Sequence, residues 1–211
     1  MPTSEHVPGD TLLPETPDGY AEPVEFRYPM VVLVAIAAVL TVAALVAFGS
    51  LLRIGQGDAL PALFGYEATA DGFTFSIPIA LGLVFVATVA VVTVLHELLH
   101  GLVFRWQGYD VSYGFVPQMG AFYAAAFHQF QLCEETRLVA LAPLFVLDVL
   151  LVPLLFVPIP MLAVAAFFGL VLNTAGSAGD LYIVWRLGRY PPGTLSYDAD
   201  IRHMYVFVPE E

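Results

Sequence analysis

The sequence predicts an all-α integral membrane protein with about four transmembrane helices. Hydrophobic residues make up 59% of the 211-residue chain, and its mean hydropathy of +0.80 is well above that of a typical soluble domain. Four apolar stretches each approach or exceed the length of about 20 residues that a helix needs to cross the hydrocarbon core. They cover residues 30–52, 77–104, 138–157 and 161–187. We therefore expect a membrane domain at residues 29–190 between two short flanking segments.

The flanking segments are predicted to be tails. Residues 1–28 contain six carboxylates and five prolines, a composition typical of a disordered acidic segment. Residues 191–211 follow the last apolar stretch and are predicted to form a short C-terminal tail. Between the first two spans, residues 53–76 form a loop with glycine and proline, which we expect to wrap the outer edge of the helices. The loop carries no motif that indicates a function.

The charged residues of the chain are mostly acidic. Net charge is −12, all seven basic residues are arginine, and lysine is absent. Acidic, lysine-free chains are typical of proteins adapted to high salt, where hydrated carboxylates keep surfaces soluble. We therefore expect a halophilic host. Nucleic-acid binding is excluded as a function class, because the chain has no basic patch.

Arginine is enriched on one side of the predicted membrane domain. With four spans, both termini lie on the same side as the loop between spans two and three. That side holds the arginines at 27, 105, 137, 186, 189 and 202, and the opposite side holds only Arg53. Basic residues are enriched on the cytoplasmic side of membrane proteins. The arginine bias thus predicts a multi-pass protein of the cell membrane with both termini in the cytoplasm.

Span two carries the motif His96-Glu97-Leu98-Leu99-His100. Residues four apart lie on one face of a helix, so His96 and His100 can present imidazole nitrogens to one metal ion. Glu97 lies beside them and is the candidate base that takes a proton from a metal-bound water. Each charged residue in a span costs about 2.5–3.5 kcal/mol on insertion scales, which makes this group a functional hypothesis. The motif predicts a Zn²⁺ site.

A third metal ligand is predicted from depth in the membrane. His100 and His96 precede Arg105 by five and nine residues, which puts them about 7 to 14 Å inside the cytoplasmic interface. Asp180 precedes Arg186 by six residues and lies about 9 Å deep by the same helical rise. We therefore favour Asp180, which shares a helix face with Asn173, Gly176 and Ser177.

Asp148 is the alternative third ligand. It follows Arg137 by eleven residues and lies about 16 Å deep, so it reaches the histidines only if the helices tilt or shift. Without a metal, Asp148 would be a buried aspartate that bonds a neighbouring helix.

The segment at 109–130 joins spans two and three. Glycines at 108, 114 and 120 and Pro117 separate short apolar runs, so a re-entrant or hairpin loop dipping toward the histidines is one interpretation. An exposed strand edge there could pair with an extended substrate segment. An interfacial loop anchored by aromatic side chains is the other interpretation.

Two other site chemistries have little support in the sequence. Cys133 is the only cysteine, which excludes an intrachain disulfide and a cysteine-based zinc site. For the class of H-E-x-x-H membrane protease that uses a downstream glutamate ligand, the predicted membrane domain contains two glutamates after the motif, Glu134 and Glu135, near the start of span three. We favour the aspartate.

Several residues together resemble a known family. A transmembrane HELLHG at 96–101, a glycine-containing loop, Ala-Pro at 142–143 and the stretch from Asn173 to Asp180 resemble the small putative zincin peptidase family of prokaryotic membrane proteins, a domain of unknown function. The layout is more distantly similar to the site-2 protease family of intramembrane zinc metalloproteases. Unlike site-2 proteases, this chain has Leu181 after the aspartate and lacks prolines between Asn173 and Asp180.

The resemblance implies a function and a set of roles. His96, His100 and Asp180 would bind zinc, Glu97 would be the base, and Asn173 would contact the oxyanion or the substrate backbone. The expected activity is zinc-dependent hydrolysis of peptide bonds in transmembrane or membrane-associated protein substrates near the cytoplasmic face, in contact with membrane lipid. The alternative is a zinc-binding membrane protein without proteolytic activity, or an inactive scaffold relative.

Overall fold

The computed structural model of the chain describes residues 13–63, 65–117 and 121–210. Within these residues, four helices are long and apolar enough to cross a membrane, judged by length and composition. They are Met30–Ala59, Ile79–Trp106, Cys133–Phe156 and Pro160–Leu187. The four predicted spans therefore correspond to four helical segments.

The first two spans present apolar side chains to their surroundings. Helix α1 covers Met30–Gln56 and α2 covers Ile79–Trp106. Val31 and Ile79 are each 84% exposed, which would be costly in water and is favourable against lipid. Both helices begin directly after a proline, Pro29 and Pro78, whose fixed φ and missing N–H suit the start of a helix.

The last two spans are interrupted helices. Helix α3 covers Cys133–Leu151, contains Pro143 and continues as a 3₁₀ turn at Val152–Phe156. The fourth span is divided into α4, Pro160–Gly176, and α5, Ala178–Leu187. Ser177 separates them, and its hydroxyl donates a hydrogen bond of 2.9 Å to the Asn173 carbonyl. The division places Asp180 in the first turn of α5.

The all-α prediction is wrong, because the described residues also form eight strands in three sheets. The largest sheet has four antiparallel strands in the order β1-β8-β7-β6. These strands are Val24–Phe26, Met204–Phe207, Leu195–Asp198 and Phe130–Leu132. Strands of three or four residues are too short to give a local periodicity, and β1 and β6 pair with partners far away in the sequence.

The sheet also joins the two segments that flank the predicted membrane domain. Val24 pairs with Val206, and a bridge joins Tyr20 to Pro209, so the two chain ends are hydrogen-bonded to each other. The predicted disorder of residues 1–12 lies outside the described residues. Strand β1 precedes α1, β6 precedes α3, and β7 and β8 follow α5, so the sheet lies at one end of the helices. We call this end the sheet end.

A hydrophobic cluster joins the sheet to the helices. Phe26, Met204 and Val206 of the sheet pack against Tyr182 and Leu187 of α5, and each of these side chains is at most 8% exposed. Burial of this apolar surface fixes α5, and with it Asp180, relative to the sheet.

Two hairpins complete the fold. Strands β2 and β3, Gly65–Thr69 and Gly72–Ser76, pair in the segment between α1 and α2, at the end opposite the sheet. Strands β4 and β5, Ser112–Val116 and Ala121–Ala125, pair in the segment between α2 and α3. The hairpin interpretation of that segment is therefore confirmed. Strand β5 lies against α2, so the hairpin runs back along the span rather than away from it.

Gly55 of α1 allows close approach to the end of the third span. A Cβ built at Gly55 would lie 2.5 Å from the Leu155 carbonyl oxygen, a backbone atom that a rotamer change cannot move. We expect Gly55→Ala to lower the free energy of unfolding in detergent by about 1–3 kcal/mol, the usual cost of overpacking. Gly49→Ala is the control, because its Cβ would meet Phe167 at an ordinary 3.7 Å. Equal stability of the two variants would contradict the close contact.

Candidate metal centre

The two histidines of the motif lie on one face of α2. The ring centroids of His96 and His100 are 4.8 Å apart, as the i,i+4 spacing predicts. Their side chains are 12% and 11% exposed, so both imidazoles are largely shielded. The ligand atoms of His96, Glu97 and His100 lie within 4.8 Å of one another, the spacing of a group that can hold a metal ion.

Asp180 meets both histidines from α5. Its Oδ2 lies 3.2 Å from His96 Nε2, and its Oδ1 lies 3.5 Å from His100 Nε2. The structure therefore brings together the three residues that the sequence analysis favoured as ligands. The break at Ser177 contributes to this arrangement, because it places Asp180 at the start of a new helix.

Hydrogen bonds identify the nitrogen of each imidazole that carries the proton. His96 Nδ1 lies 2.9 Å from Asn173 Oδ1, and His100 Nδ1 lies 3.0 Å from the Val139 carbonyl oxygen. Carbonyl oxygens only accept, so each neutral ring donates from Nδ1 and keeps a lone pair on Nε2.

The donor set fits a zinc ion. In the neutral histidines, two Nε2 lone pairs face the two oxygens of Asp180, and none of these four atoms carries a proton to share. A protonated His96 can donate from Nε2 to Asp180 Oδ2 at 3.2 Å, and a metal ion bound between these atoms would take the place of that proton. Two imidazole nitrogens and one carboxylate form a known type of catalytic zinc site, which keeps a further coordination position open.

Glu97 is held by the β4–β5 hairpin. The Ala124 amide N–H donates a hydrogen bond of 2.9 Å to Glu97 Oε2, and no hydrogen bond to Oε1 is found within the described part of the chain. Glu97 thus has one anchored oxygen and one oxygen available for a proton. This arrangement suits the predicted base.

Asn173 is buried, and both ends of its amide are hydrogen-bonded within the protein. It is 1% exposed, and its Nδ2 donates to the Pro143 carbonyl at 3.2 Å and to Asp148 Oδ1 at 3.0 Å. Because Nδ2 faces acceptors, Oδ1 must be the atom that faces His96. A side chain engaged at both ends and shielded from solvent is placed to orient His96.

The other candidate carboxylates bond elsewhere. Asp148 accepts hydrogen bonds from Asn173 and, at 3.3 Å, from Thr174, so Asn173 lies between it and His96. Glu135 accepts a hydrogen bond from the Tyr109 hydroxyl, and Glu134 accepts one of 3.4 Å from the Gly193 amide at the sheet end. In the structure, Asp180 is the carboxylate that contacts both histidines.

Two cavities reach the centre from different directions. The first, of about 250 Å³, extends from His100 and Asp180 to Asp198 and Asp200 at the sheet end. The second, of about 410 Å³, is an apolar groove between α2 and the β4–β5 hairpin. The groove is lined by Val94, Glu97, Leu98, Tyr113, Gly114, Phe115, Phe122 and Tyr123.

The structure adds two backbone groups that sequence reasoning missed. The Val139 carbonyl orients His100, and the Ala124 amide orients Glu97. Backbone groups have no sequence signature of their own. A proline inside a helix was the available signal for Val139, since it leaves a carbonyl four residues earlier without its helical donor.

Asp198 of β7 gives a pH-dependent prediction. Burial raises the pKa of Asp198 from 3.8 to about 6, against a weaker opposite effect of the hydrogen bond from Gln131. The folded state thus binds a proton on the Asp198 carboxyl more tightly than the unfolded state does. Ionised Asp198 therefore lowers the free energy of unfolding above pH 6, and this cost disappears as the pH falls below 4. We expect Asp198→Asn to raise the free energy of unfolding at pH 8 by at most about 3 kcal/mol, with no gain at pH 3.

Asp200 provides the matched control for this prediction. Burial raises its pKa, but hydrogen bonds from His203 and from the Arg202 amide outweigh burial, so the pKa is lowered. Asp200→Asn should therefore destabilise the protein at neutral pH and lose that effect in acid. Denaturation in detergent across this pH range measures both. If Asp198→Asn raised the free energy of unfolding equally at every pH, the raised pKa of Asp198 would be contradicted.

A comparison with protein families gives a match. A family model described as "Putative zincin peptidase" matches residues 89–195, about half of the chain. The matched region contains every residue of the centre, from His96 to Asp180. No match is found among curated proteins or among solved structures.

Proposed function

Because the chain belongs to the putative zincin peptidase family, we propose that it is an intramembrane zinc metallopeptidase that hydrolyses membrane-associated protein substrates. The observation that carries the proposal is the convergence of His96, His100 and Asp180 within apolar helices. These three residues would hold zinc through the two Nε2 atoms and the carboxylate. Ionisable groups at this depth are costly to maintain without a function.

Glu97 would transfer protons in the reaction. Zinc bound at this centre would polarise the scissile carbonyl and make water acidic enough to react at neutral pH. Glu97 would accept the proton of the attacking water on its free oxygen and return it to the leaving amine. The Ala124 amide holds the other oxygen and keeps the carboxylate beside the histidines during both transfers.

The apolar groove suggests how a membrane segment reaches Glu97. Leu98, Phe115 and Phe122 at the groove are 45–50% exposed, so the groove is open to the hydrocarbon around the span. A substrate helix must unwind before its peptide bonds can be attacked. Among the described residues strand β5 pairs with β4 alone, so its other edge, from which the Ala124 amide reaches Glu97, is where an extended segment would lie.

The other cavity suggests how water reaches the centre. It connects His100 and Asp180 with carboxylates at the sheet end, the end where the chain concentrates its arginines. The positive-inside rule places this end in the cytoplasm, so cleavage would occur near the cytoplasmic face of the cell membrane. Peptide would enter from lipid, and water would enter from the sheet end.

New protein termini test the proposed activity. The purified protein, either zinc-loaded or stripped with a chelator, is incubated in lipid vesicles with membrane proteins from host cells that lack its gene. We expect zinc-dependent new N-termini within or next to membrane segments. Zinc binding without any new terminus would overturn the peptidase proposal and favour a non-proteolytic zinc-binding protein. New termini only in soluble domains would overturn the intramembrane assignment.

A further inference from the structure

Helix α3 supplies no ligand to the centre, yet it is connected by hydrogen bonds to both histidines. One connection is direct, from His100 Nδ1 to the Val139 carbonyl. The other passes through Asn173, which bonds His96 on one side and the Pro143 carbonyl and Asp148 on the other. We infer that α3 selects the metal-binding tautomer of both histidines, with Pro143 and Asp148 as positioning residues. The inference rests on the metal centre proposed above.

Pro143 explains why the Val139 carbonyl can serve His100. In a helix, the carbonyl of residue 139 accepts from the N–H of residue 143. Proline has no N–H, so Pro143 leaves the Val139 carbonyl without its helical donor. Val139 is 3% exposed, so water reaches this carbonyl poorly. A buried carbonyl without a partner is costly, and His100 Nδ1 at 3.0 Å provides the donor.

Asp148 explains why Asn173 presents its oxygen to His96. A carboxamide can be turned end for end, which would exchange its acceptor for its donor group. Asp148 Oδ1 accepts from Nδ2 at 3.0 Å, and the Pro143 carbonyl accepts at 3.2 Å. Both contacts would become repulsive with the amide reversed. Thr174 holds the second oxygen of Asp148 at 3.3 Å, which keeps the carboxylate in place.

The two connections have the same chemical consequence. Each puts the imidazole proton on Nδ1 and leaves the Nε2 lone pair directed at Asp180. In the opposite tautomer, Nε2 would carry a proton where the metal must bind. Loss of the hydrogen-bond partner of a metal-binding histidine typically weakens metal affinity by about 10–100-fold. If Pro143 served only to bend α3, its replacement would not change the zinc affinity.

Pro143→Ala tests the direct connection. Alanine restores an N–H that competes with His100 for the Val139 carbonyl, and it removes a helix-breaking residue. We expect the zinc dissociation constant, measured by chelator competition on the full chain in detergent, to rise about 10–100-fold. The melting temperature of the zinc-free protein should stay the same or rise. Pro160→Ala is the control, because Pro160 lies at the first position of α4, where a missing N–H is tolerated.

Nitrogen-15 spectra of the zinc-free protein at alkaline pH give a second measurement, because protonated and lone-pair nitrogens differ in chemical shift. Pro143→Ala should reduce the Nδ1-protonated population of His100 and leave His96 unchanged. Asp148→Leu should reduce the Nδ1-protonated population of His96 and leave His100 unchanged. Asp148→Asn, which keeps an acceptor oxygen, should restore much of the Nδ1-protonated population of His96.

These measurements separate the inference from the proposed function. Unchanged tautomers and unchanged zinc affinity in Pro143→Ala and Asp148→Leu would overturn the inference, whether or not the protein cleaves peptides. A wild-type protein that binds zinc without cleaving would overturn the peptidase proposal alone. If Pro143→Ala fails to fold, Asp148→Leu against Asp148→Asn still decides whether α3 acts on His96.

Discussion

Glu97→Gln is expected to bind zinc with nearly wild-type affinity and to lose cleavage by about 10²–10⁴-fold, the usual contribution of a general acid–base group. Glutamine has the size of glutamate, and its carbonyl oxygen can still accept the hydrogen bond from the Ala124 amide. The metal-binding residues His96, His100 and Asp180 are untouched. Only the ability to take a proton from water and return it to the amine is lost. Zinc content and the rate at which new N-termini appear measure the two properties separately.

Glu135→Gln is the matched control for this variant. The carboxylate of Glu135 accepts a hydrogen bond from the Tyr109 hydroxyl in the first turn of α3, away from the histidine pair. The same chemical change at this position should leave the cleavage rate within a few-fold of wild type. Full activity in Glu97→Gln would contradict the assignment of Glu97 as the base. Loss of zinc in Glu97→Gln would instead indicate that Glu97 is a ligand.

The parts of the fold that depend on one segment were predictable from sequence. Apolar length predicts the four spans, and the i,i+4 spacing places His96 and His100 on one face. The meeting of Asp180 with these histidines was also predictable, because arginines at span ends report depth. In each case the signal is a regular rise or period along one helix.

The parts that depend on pairing between distant segments were not predictable. Strand β1 at Val24–Phe26 is three residues long and pairs with residues near the other end of the chain. The same reasoning applies to Asn173. Its residue type allows either its oxygen or its nitrogen to face His96, and only the positions of Asp148 and the Pro143 carbonyl decide between them. Orientation of an amide depends on its whole environment, which one sequence does not reveal.

Asp180→Ala is expected to weaken zinc binding by more than about 100-fold, since loss of a direct ligand should exceed the effect of losing a hydrogen-bond partner. The variant leaves two Nε2 lone pairs, which form an incomplete set for zinc.

Asp148→Asn is the matched comparison, because Asp148 was the alternative ligand and lies beyond Asn173. It should keep zinc affinity within a few-fold of wild type. The reverse result, with zinc lost in Asp148→Asn and retained in Asp180→Ala, would mean that the third span supplies the ligand. Chelator competition on both variants therefore decides which carboxylate completes the centre. Since zinc would bind the folded protein in preference to the unfolded chain, the zinc-loaded wild type should also be more stable than the zinc-free form. Asp180→Ala should abolish that zinc-dependent gain in melting temperature, whereas Asp148→Asn should retain most of it.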